Sequence, residues 1–190
     1  DVTIETTTLQ TYCQSRLGIE TGSLMDEDAS ETKSFQQAVV ADSLRSSLAE
    51  LDESARSWHE YPLLHQVASK TDLFDALVRL TVHEIGIVIK GFRLADDRRR
   101  YVQAERRFSR FHAILSPAER EVIFRAFEDY HQQVFEDGGF LDSDDLAISM
   151  FSQLRTPVWQ LRRRAEGYDY LFVDETQLYN ENERRLFPLL

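Results

Sequence analysis

"YLFVDETQLYN", residues 170–180, sets four apolar or aromatic residues against two adjacent acids. Tyr170, Leu171, Phe172 and Val173 leave no polar face for water, which is the pattern of a short buried strand in a parallel sheet. Asp174 and Glu175 then fall at the strand's tip. In a nucleotide hydrolase that is where one acid holds magnesium and the next positions a water, with Gln177 placed to sense a terminal phosphate. The same residues also suit a pair of surface acids beside a strand. A hydrolase site needs a glycine-rich phosphate loop as well, and the 190 residues contain none.

Working outward, the rest of the chain reads as helices. Residues 2–6 alternate in strand period, and "TLQTYCQSRLG" (8–18) shifts to helical spacing that stops at Gly18. A polar, acidic stretch over 19–32 reads as a loop. From Lys33 to Leu51 the positions Phe35, Val39, Val40, Leu44, Leu48 and Leu51 share one helical face. "YPLLHQVASK" carries Pro62 in a helical first turn, and residues 71–92 read as a longer helix, with a strand as the alternative around the β-branched Val88. Arg98 to Leu115 has the spacing of a charged amphipathic helix. "SPAE" (116–119) is a helix start, Ser116 capping and Glu119 reaching back, and "LDSDDLA" repeats the device with Asp142 and Asp145. A helix around Trp159 and a last one capped by Asn180 complete the series. Two strands far apart in sequence, each followed by a helix, fit one parallel α/β sheet with the helices between them as an insertion.

Composition narrows the function classes. Hydrophobic residues make up 42% and charged residues 29%, as in an ordinary globular protein. The longest apolar run, Ile85 to Ile89, falls far short of the ~20 residues that span a bilayer. The single cysteine, Cys13, excludes an internal disulfide and a cysteine-based zinc site, and it fits a reducing compartment, the cytoplasm or, in a eukaryote, the nucleus. A net charge of −11 argues against a surface built wholly to coat nucleic acid. The charge is uneven, however: residues 96–112 and 160–166 are locally basic. Asp1 opens without methionine and "RRLFPLL" closes on an apolar end, so the chain is expected to be a piece of a longer protein.

Three segments together resemble the UvrD/Rep-type superfamily 1 helicases. "YLFVDETQLYN" is similar to their motif II, an apolar strand leading into D-E-x-Q-D-x-N. "TLQTYC" (8–13) resembles the T-F-H-S-F-C segment after an early strand, and "GFLDSDDLA" (139–147) the G-x-x-D-F-x-D-L segment before motif II. The three stand in the family's order and reach from one end of the chain to the other. The resemblance implies a mainly α chain: a helical insertion like subdomain 1B over residues 19–155, flanked by short strands of a P-loop NTPase parallel α/β sheet in residues 1–18 and 156–190, both parts of motor domain 1A. It makes the chain a fragment of an ATP-dependent translocase on single-stranded DNA and duplex junctions. The phosphate loop would lie upstream of residue 1, and the isolated fragment would be inactive.

Residue by residue, the resemblance gives Asp174 the magnesium and nucleotide-binding role, Glu175 the catalytic base and Gln177 the coupling to nucleotide state, with ATP and Mg2+ as cofactors of the parent protein. Asn180 matches the motif's closing asparagine. It also implies nucleic-acid contacts at Thr8 and Thr11 and along the basic helix at Arg99, Arg106 and Arg110, a set that reads equally well as a solvated charged face. The match has departures. Leu178 stands for the usual acid, Thr176 for an aromatic or small residue, Tyr179 for a threonine, Leu9 and Gln10 for phenylalanine and histidine, and Ser143 for phenylalanine. The alternative is a helical DNA- or protein-binding module that keeps the helicase outline without its enzymology. A metal-dependent nuclease built on Asp174 and Glu175 is a third reading and needs further acids. "HEIGI" (83–87) begins like a zinc-protease helix, but Ile87 stands where the second histidine must be.

Overall fold

A computed structural model of the chain describes residues 3–20, 25, 30–51, 59–68, 71–103 and 115–190. The chain divides into two compact units, one formed by residues 1–27 with 140–190 and the other by 28–139. Both are helical.

In the discontinuous unit, α1 (Leu9–Leu17) starts where the Thr8 side chain accepts the Thr11 N–H, and stops at Gly18. Gly18 takes the left-handed φ of 68° that lets its own N–H and that of Ile19 close on the Gln14 carbonyl, as the helix-then-glycine pattern predicts. α7 (Ser143–Leu154) opens on the predicted capping box between Asp142 and Asp145. α8 (Pro157–Glu166) is capped by Thr156, with proline at its start. α9 (Glu181–Arg184) is a single turn, capped by Asn180 and Glu183. Tyr12 and Cys13 of α1, Leu146, Ala147, Met150 and Leu154 of α7, Trp159 of α8, and Leu186 and Leu190 form one core. Trp159 is a core residue, its indole N–H donating to the Leu189 carbonyl at 2.9 Å. The sequence groups residues 143–154 with the insertion; in the structure α7 lies instead in this unit, against α1 and α9.

The second unit contains α2 (Ser30–Ala49), α3 (Pro62–Ala68), α4 (Thr71–His83), α5 (Arg98–Gln103) and α6 (Pro117–His131). α4 continues as a π-helical turn over Glu84–Lys90, and α6 as another over Gln132–Asp137. The β-branched run near Val88 is therefore helical, wound wider. Gly91 closes it with its N–H on the Gly86 carbonyl at 2.9 Å, in a position where a Cβ would strike the Ile87 carbonyl. α6 opens on the predicted Ser116–Glu119 capping box. α2 buries Val40, Ser43, Leu44 and Ser47. Phe35, predicted to face inward, is exposed, because it sits well round the helix from that buried stripe. Of the helix predicted over Arg98–Leu115, residues 98–103 are helical, and 104–114 lie outside the described residues.

The two predicted strands are not formed. Among the described residues there is no strand, and no ladder of backbone hydrogen bonds joins residues 3–8 or 169–174 to a neighbour. Tyr170 and Phe172 are 83% and 93% exposed, where a buried strand was expected. The physical reason is that a strand, unlike a helix, satisfies its backbone only through a partner. An apolar run with strand composition stays extended and solvated when no such partner is present.

Candidate functional site

The acids at 174 and 175 sit on a short, sharply turned loop of the discontinuous unit. Asp174 Oδ1 accepts the N–H of Glu175 at 2.8 Å, and the Gln177 amide donates to Glu175 Oε2. Glu175 itself has φ 50° and ψ 38°, a left-handed conformation that few non-glycine residues adopt. A 3-10 turn over Thr176–Leu178 follows, held by the Leu178 N–H on the Glu175 carbonyl at 2.9 Å. The three predicted catalytic and metal-binding residues, Asp174, Glu175 and Gln177, are thus brought together and are all exposed.

The loop is anchored at its far end. Asn180 caps α9 and donates its side-chain amide to Asp144 Oδ1 at 2.5 Å. Tyr179 packs edge-on against Phe187, ring centres 5.2 Å apart. Asp144 lies buried in the first turn of α7, between the two acids of its capping box. Sequence reading assigned Asp142 and Asp145 to capping and gave Asp144 no part. Its contact is with a residue far along the chain, and the only local signal is an extra acid beside the cap.

What the loop can hold follows from these bonds. Magnesium takes one or two carboxylates, keeping waters and substrate phosphates for its other positions. Asp174 Oδ2 and Glu175 Oε1 lie outside the hydrogen bonds of the turn, so the acids fit the protein half of such a site. The phosphate half has no counterpart here, since no glycine-rich loop or lysine cradle is present in the sequence. Among the described residues no group of three or more histidine, cysteine or acidic side chains is arranged to hold a metal ion. Among the described residues, the further acids that a nuclease needs are not assembled around Asp174 and Glu175.

The predicted nucleic-acid contacts divide. Thr8 and Thr11 are exposed, and the Thr8 hydroxyl donates to that of Thr11 at 2.8 Å. Arg99 is exposed, with Nε 3.4 Å from Gln103 Oε1. Its neighbour Arg98 is committed to Glu121 at 2.6 Å and Glu128 at 3.5 Å, lying over the Phe124 ring, so α5 spends one of its arginines within the unit. Arg106 and Arg110 lie outside the described residues. Glu84 of "HEIGI" is fully buried and accepts the Tyr101 hydroxyl at 2.8 Å, a core role.

Among the displaced titrations of the discontinuous unit, those of Cys13 and Tyr168 are large. Burial, with the Glu183 charge adding to it, pushes the Cys13 thiol up to about 12. Burial and the hydrogen bond that its hydroxyl donates to Glu5 push Tyr168 up to about 12. Both groups stay protonated at neutral pH, and Cys13, buried in the core, serves packing.

Comparison with family models, with curated proteins and with solved structures returned no significant match. The geometry and the sequence motifs therefore carry the functional reading.

Proposed function

We propose that this chain is part of a UvrD/Rep-like superfamily 1 helicase, an ATP-dependent translocase on single-stranded DNA, with residues 28–139 as its helical insertion. The observation that supports the reading is the meeting of the three resembling segments. Tyr12 and Cys13 come from the first and Leu146 and Ala147 from the second, and they share one core. The third is tied to the second through Asn180 and Asp144. Segments spread over the whole sequence thus belong to a single unit, interrupted by a separate helical one. In this reading Asp174 holds magnesium, Glu175 accepts the proton of the attacking water and Gln177 orients Glu175. The apolar run Tyr170–Val173, exposed except at Val173, is in this reading a strand that lacks its sheet partners, and residues outside this chain supply the phosphate loop.

Each role has a physical basis. An exposed carboxylate pair tied into a tight turn presents its remaining oxygens in a fixed direction, which is the positioning that phosphoryl transfer to water demands. When bound, the metal supplies charge stabilisation. The experiment is Glu175→Gln in the longest native chain that contains these residues. Magnesium-dependent ATP turnover should fall by ~100-fold or more, the scale for losing a general base, with ATP affinity largely kept. The 190 residues by themselves should hydrolyse no ATP, for want of a phosphate cradle. Unchanged turnover in the variant, or magnesium-dependent turnover by the isolated chain, overturns the assignment.

The alternative, a binding module with the helicase outline and no catalysis, draws on a different observation. Leu178 stands exposed where the family carries an acid, and Glu175 has one oxygen committed to Gln177. Absence of ATP binding by the longer chain would decide for it.

A further inference from the structure

We infer that the outward face of α8 docks an acidic amphipathic helix of a partner protein. A surface helix normally turns its apolar stripe inward and leaves polar residues outside. α8 does otherwise. Its inward side is carried by Trp159 alone among apolar residues, while Val158 and Leu161 are 57% and 85% exposed. Val158, Leu161 and Ala165 recur at helical spacing, so they form one outward stripe, all exposed. Arg162 borders the stripe on one side and Arg164 on the other. These are the i, i+3 and i+7 positions through which one helix reads the apolar face of another.

The flanking charges set the chemistry of the partner. Arg162 is 64% exposed, and its Nε lies 3.9 Å from Glu166 Oε1, a long contact. The other oxygen of Glu166 is held by Arg16 at 3.0 Å, so this carboxylate already serves another guanidinium. Arg163 turns away to donate to the Pro188 carbonyl. Two outward arginines therefore flank an apolar stripe on a chain whose net charge is −11. On the Arg162 side the stripe runs into a cavity of about 170 Å3, whose lining is apolar at Met150, Leu154, Val158 and Trp159 and polar at Gln153, Thr156 and the Arg16, Arg162 and Glu166 charges. Its apolar part has room for one aliphatic side chain, and Arg162 among the lining residues can meet a neighbouring carboxylate, the Glu166 oxygens being already faced by Arg16 and Arg162. A phosphate backbone would use the arginines and leave Val158 and Leu161 uncovered, whereas a helix with leucines between glutamates uses both.

The test employs the intact 190-residue chain and labelled synthetic helices of about four turns. Leucine occupies the i, i+3 and i+7 positions, flanked by glutamate in one set and by lysine in the other, and a single-stranded oligonucleotide is run in parallel. The acidic helices should bind saturably and more weakly as salt rises, and the lysine helices should not bind. Leu161→Asp should weaken binding by at least about tenfold, the scale for losing a central apolar anchor. Arg162→Glu with Arg164→Glu should transfer preference to the lysine helices. These side chains are exposed, so unchanged thermal melting serves as the folding control. The inference is overturned if no acidic helix binds, or if Leu161→Asp binds as well as the parent chain. It is also overturned if only the oligonucleotide loses affinity in the arginine variant, which would make the face a nucleic-acid surface. None of these outcomes depends on ATP hydrolysis, so the inference and the helicase reading fail separately.

Discussion

At the scale of single residues, the chain separates groups fixed by burial from groups left to water. Cys13 belongs to the first kind. Its thiol is pushed up from 9.0 to about 12 by the core around it and by the charge of Glu183. The unfolded chain releases that proton above about pH 9, while the folded chain keeps it until about pH 12. Stability contributed by the neutral thiol is therefore complete below pH 9 and is lost as pH rises from 9 to 12. Tyr168, pushed up to about 12 from 10.0, acts in the same direction over a narrower window. Urea midpoints should thus fall steadily across that alkaline range. Cys13→Ala should flatten the fall while lowering the plateau through the cavity it leaves. Equal pH slopes for both chains would show that the thiol is not the titrating group. Below pH 9 a thiol reagent should label Cys13 only after the chain is unfolded. Glu175 belongs to the second kind. Its left-handed backbone was not legible in the sequence, because it follows from a turn closed by Asp174, Gln177 and Leu178 together.

At the scale of elements, capping decided which parts were legible. A cap is a contact over three residues, so Ser116 with Glu119, Asp142 with Asp145, and Asn180 with Glu183 announce their helices locally, and all three boxes form. A strand cannot announce its partner. The apolar composition of 170–173 therefore foretold a strand and not the fact that it would lie unpaired. The acids of the candidate site could be read from that same stretch, but the Asp144 anchor could not, since it depends on a contact across the fold. Glu119 shows how much a cap can carry beyond its own helix. One oxygen accepts the Ser116 N–H, and the other accepts the N–H groups of Leu63 and Leu64 at the start of α3. It is fully buried, so truncation removes the acceptor of three donors at once, that of Leu64 within a buried contact. Glu119→Ala should cost about 3 kcal/mol, against about 1 kcal/mol for Asp145→Ala, whose box serves a single helix. Urea denaturation of the two variants measures the difference, and equal losses would confine Glu119 to capping α6.

At the scale of the whole molecule, the two units differ in how the chain builds them. Residues 28–139 are contiguous, and Val40, Leu44, Leu77, Ile85, Ile89, Tyr101, Ile123 and Phe124 give that stretch a core of its own. The other unit must bring α1 against α7 across the whole of that insertion. Closing so long a loop costs entropy that grows only with the logarithm of its length. The Met25 N–H donates to the Leu141 carbonyl at 2.9 Å, so the two pieces of the unit already meet where the insertion leaves and returns. A few glycine and serine residues in place of 28–139 therefore suffice to close the chain between Met25 and Leu141. Replacing the insertion with them should leave a folded unit stabilised by roughly 2–3 kcal/mol through the shorter loop. Residues 28–139 excised alone should give a helical spectrum and a cooperative melt. The joined unit should keep Trp159 shielded from a fluorescence quencher, because its indole stays bonded to Leu189 within the unit. If either piece melts without cooperativity while the intact chain melts sharply, the two units depend on each other for folding. The insertion would then be a structural part of the unit that carries Asp174 and Glu175.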